Sequence, residues 1–277
     1  MQFTKIPLGE WVAGVVDWAQ ANLDAFFSII TTMIEFVVLG IQSILSLAHP
    51  LLLIGIVFVL VLFINRRTAL GTVIGLLLIY NLELWEPAIE TLSLVLAATL
   101  LALLAGIPIG ILAARKELVN RVVAPVLDFM QTMPPFVYLI PAVLFFGLGQ
   151  VPGLIATVVF AMPPSIRLTN LGIRQVPIDL VEAADAFGAT EWQKLHKVQL
   201  PLALPTIMAG INQSIMLSLS MVVIAAMIGA GGLGSEVLAG IARLDIAKGF
   251  EGGLAIVVIA IILDRITQGL TQKRNDH

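Results

Sequence analysis

Cysteine is absent from the 277 residues, and charge is scarce: lysine, arginine, aspartate and glutamate together make up 12%. The first absence excludes disulfides and thiolate metal sites. The second excludes a soluble globule, whose charged share is about 25%. Histidine is almost as rare, and His49, His196 and His277 are too scattered to suggest an imidazole site. No G-x-x-x-x-G-K-[ST] phosphate loop occurs, so this chain is not expected to bind ATP. The N-terminus shows neither the basic start nor the compact apolar core of a cleaved signal peptide, so residue 1 is expected in the mature chain.

What is present is hydrophobic: 59% of residues, with a mean hydropathy of +1.02. The reading is an all-α polytopic membrane protein of about seven transmembrane helices. Residues 1–46 form an N-terminal amphipathic segment in which Glu10, Asp17, Gln20, Asp24, Ser28, Thr31, Glu35 and Gln42 recur at helical spacing. That stripe suits a helix lying in the interface or strapped across other helices; burying its carboxylates mid-membrane would cost about 3 kcal/mol each.

Two accessory spans are expected within 47–84, one ending at Arg66-Arg67 and one running from Thr68 to Leu82. The region 85–270 holds five more. Thr91–Ala114 is the clearest, and the uncharged run Phe129–Ile166 is long enough for two spans joined at Gly147–Gly153. Another runs from about Ile207 to Ile228. The last is Gly252–Leu263, extended by Glu251, Asp264 and Arg265 near the interfaces.

Basic residues are retained on the cytoplasmic side. Placing the 271–277 tail inside puts twelve of the fifteen lysines and arginines there, leaving Lys5, Arg243 and Lys248 outside. The N-terminus and the acidic Glu83, Glu86, Glu90 connection are then external.

Between two uncharged runs of 38 residues each, Phe129–Ile166 and Val198–Ser235, lies the polar island Glu182–Pro201, in a cytoplasmic segment covering 177–205. Asp179 and Glu182 have capping-box spacing and predict a short helix that Gly188 stops. Thr190 and Gln193 repeat the spacing and predict a second short helix, Glu191 to about Gln199, ended by Pro201. Two short helices about a glycine corner form a rigid protrusion suited to another protein's groove.

The island resembles the EAA loop of the permease subunits of ATP-binding-cassette importers. Glu182-Ala183-Ala184, Gly188 and Leu200-Pro201 match its spacing, with Val198 where isoleucine is usual. Within that family the chain is similar to glycine betaine/proline permeases of osmoprotectant importers, through Leu127–Val143, Phe160–Arg167, Val198–Ala203 and Gly210–Val237. The resemblance implies the bacterial cytoplasmic membrane, a second permease copy and an external substrate-binding protein or domain. It also implies two cytoplasmic ATPases docked on the EAA loops, with ATP and Mg held by those partners; no nucleic acid is expected as a partner.

Candidate pathway residues are Gln131, Thr132, Met133, Pro134, Pro135 and Phe136, where two prolines interrupt a span, and Asn212, Gln213, Ser214 and Ser218. Polar groups inside spans face a cavity or bond between helices, and the sequence leaves both readings open. Gly229, Gly231 and Gly234 satisfy G-x-G-x-x-G without a strand–helix–strand unit around them. With Gly232 they are expected to form a flexible external loop or gate hinge. A methionine or other small-solute permease, and a secondary transporter driven by ion gradients, are the alternative functions. The latter expects an ionisable relay inside the spans, and the long uncharged runs contain no acid.

Overall fold

The long apolar runs fold as helices because only intrasegment hydrogen bonds satisfy a backbone surrounded by lipid. A computed structural model describes residues 8–275, and among them there is no strand. Lys5 and residues 276–277 of the tail lie outside the described residues.

Three helices form the centre: α4 (Trp85–Arg115), α7 (Gln150–Arg174) and α10 (Leu200–Ala225). They approach through small residues. A Cβ on Gly110 would stand 2.7 Å from the Ile166 carbonyl oxygen, and one on Gly210 3.1 Å from the Pro164 carbonyl oxygen. With lipid outside, close packing of this kind replaces the hydrophobic drive between helices. Leu94, Val95, Leu154, Val222 and Leu233 fill the main core.

Around the centre run α1 (Leu8–Ser46), α2 (Pro50–Leu62), α3 (Arg66–Asn81), α5 (Glu117–Thr132), α6 (Pro135–Phe146), α11 (Gly232–Arg243) and α12 (Ile246–Asn275). Helix α1 breaks at Leu23, whose φ of −117° and ψ of 17° leave the helical region. Beyond the break it lies along the core, with Phe27 stacked on Phe145 and Ile34 and Val38 buried.

Among the described residues five helices are long and apolar enough to cross a membrane: Gly9–Ser46, Trp85–Arg115, Gln150–Arg174, Glu191–Ile228 and Ile246–Gly269. Counting α5 and α6 as one broken span makes six, so the structure differs from the expected seven in three places. The accessory helices α2 and α3 have 13 and 16 residues, about 20 and 24 Å against a hydrocarbon core of about 30 Å. The first half of the Phe129–Ile166 run is a corner, with α5 and α6 bent by 101°, because Pro134 and Pro135 cannot donate into the preceding turn. The segment α1, expected in the interface or strapped across other helices, has the length and composition of a span and packs along the core beyond Leu23.

Helix α4 begins three residues after α3, so Glu86 and Glu90 belong to its first turns and only Glu83 lies in the connection, at a φ of +59°.

Candidate functional site

The protrusion starts at α8 (Ile178–Ala186). Its opening differs from the capping box read from sequence. Pro177 occupies the N-cap and Asp179 lies in the first turn, with no side-chain cap bond. A proline sets the helical φ at a start where its missing N–H costs nothing.

Gly188 closes α8 at a φ of +75°. The N–H of Ala189 reaches back 3.0 Å to the Ala184 carbonyl, and that of Gly188 donates to Asp185. This pattern satisfies the last carbonyls of the helix and turns the chain sharply. Thr190 then caps α9 (Glu191–Lys194): its Oγ1 accepts from the Gln193 N–H at 3.3 Å, and Gln193 Oε1 accepts from the Thr190 N–H at 2.9 Å.

The second short helix does not end at Pro201. A wide π turn, Leu195–Gln199, carries α9 directly into α10, with Pro201 in the first turn of α10. The wider hydrogen-bonding ring absorbs the residue that lacks an N–H, so the chain continues as one bent rod. The protrusion is thus continuous with a central helix.

Ion pairs brace this rod. The Lys194 side chain, only 11% exposed, bonds Asp185 at 2.7 Å across the corner and Glu191 at 2.8 Å. Glu191 in turn meets Arg115, at the end of α4, at 3.2 Å. Of the 38-residue Glu191–Ile228 helix only the part from Val198 is uncharged, so the network at its exposed polar start stands outside the apolar segment. Hydrogen bonds donated to Asp185 and then to Glu191 hold the Lys194 ammonium above its ordinary pKa, while Lys194 first and Arg115 second hold the Glu191 carboxyl below its own. Nearby, Arg174 joins Glu117 at 2.9 Å and the Ala113 carbonyl at 2.9 Å, tying α7 to the α4–α5 junction. Arg115, Arg174, Glu191 and Lys194 line a cavity of about 450 Å³ between the protrusion and the ends of α4 and α7.

The outer surface contrasts with the braced interior. Phe187 is 92% exposed and Trp192 64%, the latter tilted at 39° against His196 with ring centroids 3.7 Å apart. Glu182 and Ala183 of the matched motif are exposed as well, and Ala184 is half-buried. Large apolar rings thus stand exposed on a frame braced by ion pairs.

Comparison with known proteins bears directly on this geometry. Residues 106–276 match the family described as binding-protein-dependent transport system inner membrane component, a stretch that includes the whole protrusion. The chain belongs to that family. The permease is 53% identical over 273 residues to the glycine betaine/carnitine transport permease protein GbuB of Listeria monocytogenes, covering 97% of this chain and 96% of that one. It is 48% identical over 269 residues to the glycine betaine/proline betaine transport system permease protein ProW of Escherichia coli, covering 96% and 76% respectively. In fold it resembles a chain of the MetNI methionine transporter in an inward-facing conformation, at a TM-score of 0.62 and 20% identity over 67% of this chain and 93% of that one.

The other residues singled out from sequence divide into three groups. Gln131, Thr132, Met133, Pro134, Pro135 and Phe136 form the α5–α6 corner, with Gln131 and Phe136 exposed and Tyr138 donating back to the Met130 carbonyl. In the permease's α10, Asn212 donates to Asp264 of α12 at 2.9 Å and Ser218 accepts from Thr99 of α4 at 3.1 Å, both interhelical bonds. Gln213 faces outward, and Ser214 Oγ is buried without a hydrogen-bond partner.

The third group divides: Gly229 is exposed and Gly231 half-buried, while Gly232 and Gly234 are packed into the bundle. Gly232 and Gly234 are buried and belong to the first turn of α11. Glu90 Oε2 accepts from the Gly232 N–H at 2.8 Å and Thr91 Oγ1 from the Leu233 N–H at 2.8 Å, so α4 caps α11 from the side. An acid at a helix N-terminus also complements its dipole. Phe187, Trp192, Lys194, Arg115, Glu90 and Thr91 escaped the sequence reading. Of these only Trp192 and Phe187 had a local signal, as aromatics inside a polar island.

Proposed function

We propose that the permease is the transmembrane subunit of an ATP-driven importer for glycine betaine- and proline-type compatible solutes. The supporting observation is likeness along nearly the whole chain to relatives named for glycine betaine transport. The methionine transporter shares only the fold, and an ion-gradient mechanism has no acidic relay in the uncharged runs to support it.

In this reading two copies of the permease span the cytoplasmic membrane, the N-terminus external and the C-terminus cytoplasmic. Each protrusion sits in a groove of one of two ATPases, which hold the ATP and Mg. An external binding protein or domain delivers the solute. Closure of the ATPases draws the protrusions together. The continuous rod from α9 through the π turn into α10 passes the movement to the α4–α7–α10 centre, which opens outward. Reversing a 1:99 preference between states takes about 5.5 kcal/mol, so the joint must be stiff. The Lys194 bridge and the Arg115–Glu191 pair supply that stiffness.

The α5–α6 corner and the outward Gln213 are the proposed edges of the passage. Selectivity resides mainly in the external receptor, since at the corner Tyr138 is buried against Phe160 and offers no open ring face to a quaternary cation.

The test is uptake of labelled glycine betaine, choline, carnitine, proline and methionine by vesicles holding the assembled transporter, with and without ATP and receptor. Betaine uptake that requires both supports the proposal; methionine uptake or uptake without ATP overturns it. Exchanging receptors while keeping this permease should move the solute preference with the receptor.

A further inference from the structure

Helices α3 and α12 run antiparallel: Gly75 faces Val258, and Ile64 faces Gly269. Between them lies a groove of about 530 Å³ that belongs neither to the protrusion nor to the candidate passage. Its lining changes character along its length. Arg67, Arg265, Asn65 and Thr68 line one end, and Ile74, Leu78, Val258 and Ile261 line the rest.

Neither Arg67 nor Arg265 forms an ion pair among the described residues, and both are exposed. Nearby Asp264 is engaged elsewhere, by Asn212 and Gln268. The groove thus presents two permanently charged guanidiniums with no carboxylate partner.

We infer that this groove holds one membrane glycerophospholipid, with its phosphate between Arg67 and Arg265 and an acyl chain along Gly71, Ile74 and Leu78. Three features fit that occupant. Guanidinium forks match phosphate oxygens and bind them with charge-assisted hydrogen bonds. Basic pockets between transmembrane helices are suited to lipid headgroups. From Thr68 to Leu78 the helix rises about 15 Å, half of the hydrocarbon thickness of about 30 Å, so the groove spans one leaflet.

The location gives the lipid a role. Helix α3 precedes the 106–276 stretch shared with the family, whereas α12 lies within it. The lipid would therefore lie along the seam between the short α2–α3 hairpin and the transporter core, beside direct contacts such as Gly75 against Val258 and Ile79 in the main core.

Native mass spectrometry of the full-length chain, titrated with dioleoyl phosphatidylglycerol, tests the inference. One retained lipid per chain is expected, with binding weakened about tenfold or more for each guanidinium removed in R67Q and R265Q. Gly71→Leu keeps both charges and meets no neighbour, since a Cβ there has nothing within 4 Å. It should fill the groove and displace the same lipid without unfolding α3. Glycerophosphate at equal concentration should not compete, which separates a lipid site from a phosphate site. Unchanged lipid retention in the double arginine variant or in Gly71→Leu overturns the inference. So does effective competition by glycerophosphate, or disulfide crosslinking of two Gly71→Cys chains through this face.

Discussion

Two glycine corners stand at the two ends of α10, Gly188 in the protrusion and Gly232 at the start of α11, and they differ in what a side chain would meet. Both have positive φ, +75° and +71°. A Cβ on Gly188 would touch nothing within 4 Å, while one on Gly232 would lie 2.4 Å from Thr91 Oγ1. One corner is braced from behind and open in front; the other is enclosed by Glu90 and Thr91. Open space beside a rigid, aromatic-bearing turn fits a partner that comes from outside the chain. Enclosure shows that the second corner already has its partner, in α4.

The contrast can be broken most strongly at the enclosed corner. Gly232→Ala should destabilise the permease by about 3 kcal/mol, combining overpacking with the left-handed backbone, and thermal unfolding in detergent would reveal it. Next in size, Phe187→Ala combined with Trp192→Ala should weaken copurification of the ATPase by about 100-fold, as loss of hot-spot aromatics does. Stability should change by less than about 0.5 kcal/mol, because exposed positions away from packing are tolerant. Equal effects on binding and folding would erase the distinction between the corners.

Lys194→Met should loosen the protrusion without unfolding the bundle, lowering ATP-driven uptake about a few-fold, since the lysine bridges Asp185 and Glu191. The smallest effect concerns pH. The Glu191 pKa is depressed, so its contribution is present above the ordinary carboxylate value and is lost as pH falls through the lower folded value. The Lys194 pKa is raised, so its contribution is present below the ordinary lysine value and lost only as pH rises past the higher one. Proteolysis of the protrusion should therefore be constant through neutral pH and increase at both extremes, as pH falls below the carboxylate range and as it rises past the lysine range.

Much of the architecture was legible locally. The Thr190–Gln193 box, the stop at Gly188 and the long spans at α4, α7 and α12 depend on neighbours in sequence, where spacing carries the physics. Three features were not. The Asp179–Glu182 spacing suggested a cap, yet Pro177 already sets the helix start. Pro201 suggested a stop, yet the π turn before it accommodates the missing donor. The Arg115–Glu191 and Glu90–Gly232 contacts join residues 76 and 142 apart, so they exist only once the bundle forms. The same holds for the second glycine corner, where Glu90 and Thr91 of α4 cap the start of α11.

The central claim is that the open corner couples a partner's closure to the spans, and uptake by vesicles carrying Gly188→Asp or Ala184→Asp tests it most directly. With membrane-inserted protein measured alongside, ATP-driven glycine betaine uptake should fall to background while insertion stays at the wild-type level; wild-type uptake by either variant would contradict the account.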